Sequence, residues 1–178
     1  MSLEPTVAPR TKPSSGLVLG AAVPTMGLLA GFFHAYSVSV MPGLGRADDR
    51  TLVDGMQQIN VAVENPVFLL SFLGAPVLAL VALLVERSSG STQVARWILA
   101  ALVLCGVGLL VTGALNIPLN DDLEQAGDPS RIADIDAVRD DFYGPWVAWN
   151  IVRTLATTAA LGCLAYALVL RGRAAPTS

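Results

Sequence analysis

Residues 146–170 read WVAWNIVRTLATTAALGCLAYALVL, and this stretch decides the class of protein. At about 1.5 Å rise per residue it is long enough to cross the roughly 30 Å hydrocarbon core of a bilayer. Its only charged side chain is Arg153. Trp146, Asn150, Arg153 and Thr157 recur at i, i+4, i+7 and i+11, so they form a single polar stripe on an otherwise apolar helix. Trp146 and Trp149 sit at the depth where indole rings prefer the membrane interface.

Three further apolar runs, residues 17–41, 64–86 and 94–116, have the same length and character. Together they predict an all-α, four-transmembrane-helix bundle with short amphipathic outer segments. The membrane domain covers residues 16–171, between an N-terminal tail, residues 1–15, and a C-terminal tail, residues 172–178. The first tail is rich in Pro, Ser and Thr and reads as disordered. The first run is too long for a signal-peptide core and no small-x-small site follows it, so it reads as a retained helix.

Composition agrees with this class. The chain of 178 residues is 53% hydrophobic and 14% charged, with mean hydropathy +0.60, unlike an ordinary soluble domain. Eight carboxylates fall between Asp121 and Asp141, against Arg131 and Arg139. This acidic outer segment argues against nucleic acid, which needs clustered Lys and Arg. When the runs are threaded up and down, one side of the membrane receives Arg10, Lys12, Arg87, Arg96, Arg171 and Arg173. The other receives Arg46, Arg50, Arg131 and Arg139. The asymmetry predicts a multi-pass cell-membrane protein with both termini cytoplasmic.

Local signals add detail. Gly27, Gly31 and His34 follow i, i+4, i+7, which predicts that His34 lies on a close-packed helix face. Met41-Pro42-Gly43 ends the first run, and Asp48 and Asp49 suit the start of an outer helix. Leu52, Met56, Ile59 and Val63 form the apolar stripe of that helix, expected near the interface. Asn65-Pro66 reads either as a cap plus a first-turn proline or as a kink in one helix from residue 49 to 86. Cys105, Gly108, Thr112 and Asn116 share one face of the third run. Residues 131–142 suggest a short amphipathic helix with Ile132, Ile135, Val138 and Phe142 on one side, after which Gly144-Pro145 restarts the chain. The two halves share a plan of outgoing helix, Pro-containing exit, outer segment and returning helix, the pattern of a degenerate two-helix repeat.

The polar residues of the four runs converge on the outer side. His34 and Arg153 lie about 10 Å below the outer boundary, Asn150 is shallower, and Asn60, Glu64, Asn116 and Asn120 ring the mouth. Arg153 at that depth needs partners, for which Glu64 and the Asn amides are available. Each residue alone also suits a structural part: Arg153 snorkelling outward, Asn116 and Asn120 capping a helix end, His34 packing. A metal site has no support, since the single His has no ligand-spaced partner and Cys105 and Cys163 lie elsewhere; their offset also disfavours a disulfide. No nucleotide loop or nucleophile elbow is present.

Four segments carry a resemblance: Tyr36-Ser-Val-Ser-Val-Met-Pro-Gly-Leu44, Met56-Gln-Gln-Ile-Asn60, Asn116-Ile-Pro-Leu-Asn120 and Trp146-Val-Ala-Trp-Asn-Ile-Val-Arg153. From about Gly20 to Leu170 the chain resembles the anthrone-oxygenase-like integral membrane proteins, whose bacterial members are mostly described as domains of unknown function. The resemblance implies a four-helix bundle and, by similarity to the fungal members, oxidation of a lipophilic aromatic or polyketide substrate with O2 and no cofactor. On this reading Arg153, Asn150 and His34 are catalytic, and Asn60, Glu64, Asn116, Asn120 and Trp146 bind substrate. His34 departs from the family pattern, where an aromatic residue is more frequent, so Asn150 and Arg153 are the better carry-over. The alternative is a non-catalytic membrane protein, either a small-molecule binder or an accessory subunit. The expected partners are the lipid bilayer and a lipophilic aromatic small molecule; the sequence leaves the oligomeric state open.

Overall fold

The computed structural model describes residues 13–89 and 91–174. The fold is all-α, with no strand among the described residues. Helix α1 (Pro13–Ala35) passes through a π-turn (Tyr36–Val40) into α2 (Met41–Leu44). Outer helix α3 (Asp49–Val63) leads to α4 (Pro66–Ser89). Helix α5 (Thr92–Val111) passes through a second π-turn (Thr112–Asn116) into α6 (Ile117–Gln125), and α7 (Ile135–Ala174) closes the bundle. Four stretches within these helices are long and apolar enough to cross a membrane: Gly16–Leu44, Pro66–Ser88, Thr92–Gln125 and Ile135–Arg173. The chain is therefore organised as a multi-pass membrane protein.

Three expected breaks turn out otherwise. The helices run on through Pro42 and Pro118 because a π-turn precedes each proline: the Met41 N–H bonds the Tyr36 carbonyl and the Ile117 N–H bonds the Thr112 carbonyl. The extra residue widens the helix where the proline ring would meet the carbonyl one turn back. Gly144-Pro145 does not restart the chain either; Pro145 lies inside the 40-residue α7. It removes one bond, to the carbonyl of Asp141, which is exposed and open to solvent. The stripe Ile132, Ile135, Val138 and Phe142 does pack inward, but from Ile135 onward it belongs to the spanning helix. Residues 49–86 form two helices, not one kinked helix. Asn65 Oδ1 accepts the N–H groups of Val67 and Phe68, both at 3.0 Å, with Pro66 opening α4. Helix α1 begins at Pro13, inside the expected tail; residues 1–12 lie outside the described residues.

Helix α1 packs against α4 and α7, and α5 packs against the same two, closing a ring of four alternating helices. At the end of the bundle bearing the termini, the contact positions are small. Ala75, Ala79 and Ala82 of α4, Ala101 of α5, and Ala160 and Ala167 of α7 are all fully buried, beside Leu19, Met26, Ile98 and Leu164. Alanine at these positions lets apolar helices approach closely, which supplies the packing that lipid cannot. The expected face of α1 is a different one. Leu19, Ala22, Met26, Leu29 and Phe33 point inward, whereas Gly31 and His34 are exposed. A correction follows for His34: the Gly-xxx-Gly spacing misled because the bulkier apolar stripe, offset around the helix, buries more area.

The opposite, capped end has its own core of Met41, Leu52, Val53, Met56, Leu123, Phe142 and Trp146. Leu52, Met56 and Ile59 of the α3 stripe seat on this core. Asp48 caps α3, accepting from Thr51 N at 3.1 Å and Thr51 Oγ1 at 2.7 Å. These bonds hold its carboxyl below the usual range. Buried Gln57 donates to the carbonyls of Leu123, at 2.8 Å, and Gly127, at 3.0 Å, tying α3 to the end of α6. Gly127, at φ 80°, takes the left-handed conformation that ends that helix. Arg139 pairs with Asp49 at 2.9 Å and donates to the Gly45 carbonyl at 3.1 Å, while Arg50 donates to the carbonyl of Pro129.

Candidate functional site

Two stripes legible in the sequence meet face to face. Gly108, Thr112 and Asn116 of the α5 rod oppose Thr157, Arg153 and Trp146 of α7. A side chain at Gly108 would stand 3.3 Å from the Thr157 methyl, so the helices approach closely there. One turn further, Arg153 Nη1 donates to Thr112 Oγ1 at 3.4 Å. Beyond that, Asn116 Nδ2 donates to the Trp146 carbonyl at 3.3 Å, and Trp146 Nε1 donates to Asn120 Oδ1 at 2.8 Å. A cavity of about 440 Å³ lies in the capped half of the bundle. This size lies in the range of about 300–1,000 Å³ typical of small-molecule sites.

Aromatic rings make one wall. The Phe32 ring lies 4.9 Å from Tyr36 and 4.8 Å from Phe68, Phe68 stacks on Phe72 at 5.5 Å, and Tyr36 lies 5.6 Å from Trp146. Arg153 is 5% exposed, with Cζ 4.5 Å from the Phe33 ring centre and 5.2 Å from that of Trp146. Its Nη2 donates to Asn150 Oδ1 at 2.9 Å, but Nε is buried without a partner. Among the described residues no carboxylate forms an ion pair with it. A guanidinium sandwiched between aromatic faces and lacking a counter-ion keeps its positive field available to whatever enters.

Asn150 is fully committed to the protein. Its Nδ2 donates to the Phe33 carbonyl at 3.0 Å and to Ser37 Oγ at 2.8 Å, while its Oδ1 accepts from Arg153. Ser37 Oγ also lies 3.0 Å from Thr154 Oγ1. The first π-turn is thereby locked to α7, and Arg153 is held in orientation.

Of the residues expected in the site, Asn60, Glu64, Asn120, Trp146, Asn150 and Arg153 line the cavity. Asn60 contributes a second buried donor without a partner, Nδ2. Glu64 lines the wall but is exposed and is not paired with Arg153, contrary to expectation. Asn116 is fully buried between helices and is not part of the wall. His34 is exposed and also outside it. The sequence reading missed Tyr36 and the Phe32, Phe33, Phe68 and Phe72 wall. The i, i+4 spacings Phe32/Tyr36 and Phe68/Phe72 were the available signal. Cys105 is buried, Cys163 half-buried, and both are free.

Fold and site define a class: a four-helix membrane protein with an aromatic-walled cavity beneath a folded cap, holding a guanidinium without a counter-ion. Residues 65–163, more than half the chain, match the family model described as anthrone oxygenase. The chain belongs to that family. The matched region starts at Asn65 and holds Asn116, Asn120, Trp146, Asn150 and Arg153, but not the first helix. Searches of curated proteins and of solved structures gave no match.

Proposed function

We propose that the protein is a cofactor-independent oxygenase that oxidises a lipophilic aromatic ketone with O2 inside the cavity. The observation that carries this reading is the buried Arg153, with aromatic rings beside it and, among the described residues, no carboxylate in ion-pair contact with it. A cavity of this make suits a flat apolar molecule on which negative charge develops. Loss of a proton from the carbon of an acidic CH2 gives an enolate, whose oxygen Arg153 stabilises. The enolate carbon takes up O2 to give a peroxide anion, to which the base returns the proton, and the hydroperoxide so formed loses water to leave a carbonyl: CH2 plus O2 gives C=O plus H2O. Asn150 acts as the residue that positions Arg153, and the Asn60 amide is a second donor to substrate oxygen. Glu64, a cavity-lining carboxylate open to solvent, suits the base. His34, exposed outside the cavity, has no part in this reaction.

The test is O2 uptake by purified protein given an anthrone. Wild type should consume O2, with Arg153→Ala and Asn150→Ala strongly impaired; uptake no greater than that of these variants removes the oxygenase. A ligand-binding or accessory protein would bind the aromatic without consuming O2.

The charge asymmetry supports placing both termini in the cytoplasm of a cell-membrane protein. In a Cys105→Ala, Cys163→Ala background on intact cells, an impermeant thiol reagent should label R46C and not R87C. The reverse pattern inverts the topology.

A further inference from the structure

Tyr36 is the one phenol on the cavity wall. It begins the first π-turn, and single-turn π segments of this kind recur at functional sites. The backbone on either side of it is tied down, Phe33 at the end of α1 by its carbonyl to Asn150 and Ser37 in the turn by its hydroxyl to Asn150 and Thr154. The Tyr36 ring is likewise fixed, tilted between Phe32 at 4.9 Å and Trp146 at 5.6 Å. Its hydroxyl is different: among the described residues nothing hydrogen-bonds to it. Tyr143, by comparison, donates to the Met41 carbonyl at 3.2 Å. A half-buried phenol normally finds a partner. Tyr36 and Arg153 both lie against the Trp146 ring, at 5.6 and 5.2 Å, on the wall of the same cavity.

Three donors with spare capacity, the charged Arg153 and the neutral Asn60 amide and Tyr36 hydroxyl, therefore share a cavity whose rings accept a flat molecule. We propose that Tyr36 supplies the neutral hydrogen bond to the ligand oxygen that Arg153 faces, so that the cavity selects flat molecules carrying an acceptor oxygen over their hydrocarbon analogues. The inference rests on the reading of the cavity as an aromatic-ligand site, not on turnover. Because the bond would strengthen as charge grows on that oxygen, the same hydroxyl would assist enolate formation.

Binding of anthraquinone and of anthracene, followed by quenching of tryptophan fluorescence in detergent-purified protein, tests it. Anthraquinone bears the acceptor oxygens and has no CH2 to oxidise; anthracene has the same outline and no oxygen. Wild type should prefer anthraquinone. Tyr36→Phe should weaken anthraquinone about three- to tenfold, the worth of one neutral hydrogen bond, and leave anthracene unchanged. Retained anthracene affinity shows that the variant is folded. Equal losses for both ligands, or no loss for either, overturn the role given to the hydroxyl. Failure of wild type to bind anthraquinone overturns it together with the aromatic-site reading. Selective loss in a protein that consumes no O2 with an anthrone keeps the inference and removes only the oxygenase.

Discussion

The two ends of the bundle treat a buried charge in opposite ways. At the end bearing the termini, Glu86 is fully buried and Arg171 reaches it at 2.8 Å between α4 and α7, among alanine-lined contacts. At the capped end, Arg153 is almost as deep, yet among the described residues only Asn150 and Thr112 accept its hydrogen bonds, beside two aromatic rings. A paired charge in a tightly packed core contributes to structure. An uncompensated one beside a cavity costs stability, and such a cost points to use.

The difference can be broken by substitution. Arg153→Met should lower the rate of anthrone oxidation about 100- to 1,000-fold, the range for loss of an oxyanion donor, while leaving thermal stability unchanged or raised. A large fall in melting temperature would make Arg153 structural, like Arg171. At the other end, Arg171→Met should lower stability by removing an ion pair to the buried Glu86. Thermal unfolding in detergent measures this, and a neutral result would erase the contrast.

Packing sharpens the comparison further. Ala101→Leu, at a fully buried contact of α5, should cost about 1–3 kcal/mol through overpacking. Val63→Leu, on the cavity wall, should stay within about 0.5 kcal/mol because there is room. The smallest effect concerns pH at the cap. Hydrogen bonds from Thr51 to Asp48 and from Ser130 to Asp128 hold both carboxyls below their ordinary value of 3.8. A depressed folded pKa contributes stability that is complete above the ordinary value and is lost as the pH falls below it. Unfolding of wild type should thus be slightly more acid-sensitive below pH 3.8 than that of Asp48→Asn.

A fold hosts chemistry only through its site. Here the site joins the matched region, which brings Phe68, Phe72, Asn120, Trp146, Asn150 and Arg153, to the preceding segment, which brings Phe32, Phe33, Tyr36 and Asn60.

Much of this was written in the chain itself. Length and hydropathy set the four spans, because a bilayer leaves a helix few alternatives. Periodicity set the two facing stripes, Thr112 and Asn116 against Trp146, Asn150 and Arg153, since spacing along a helix fixes angle around it. Spacing does not fix how a helix is rotated against its neighbours. Only the packed bundle turned Phe33 inward and His34 outward, seated α3 on the cap core and left Glu64 apart from Arg153. Proline likewise has two outcomes in a helix, and the surroundings chose between them: a capped start at Pro66, π-turns before Pro42 and Pro118, and continuity through Pro145. A counter-ion that is missing, finally, is a fact about distances between segments, which no reading along one segment contains.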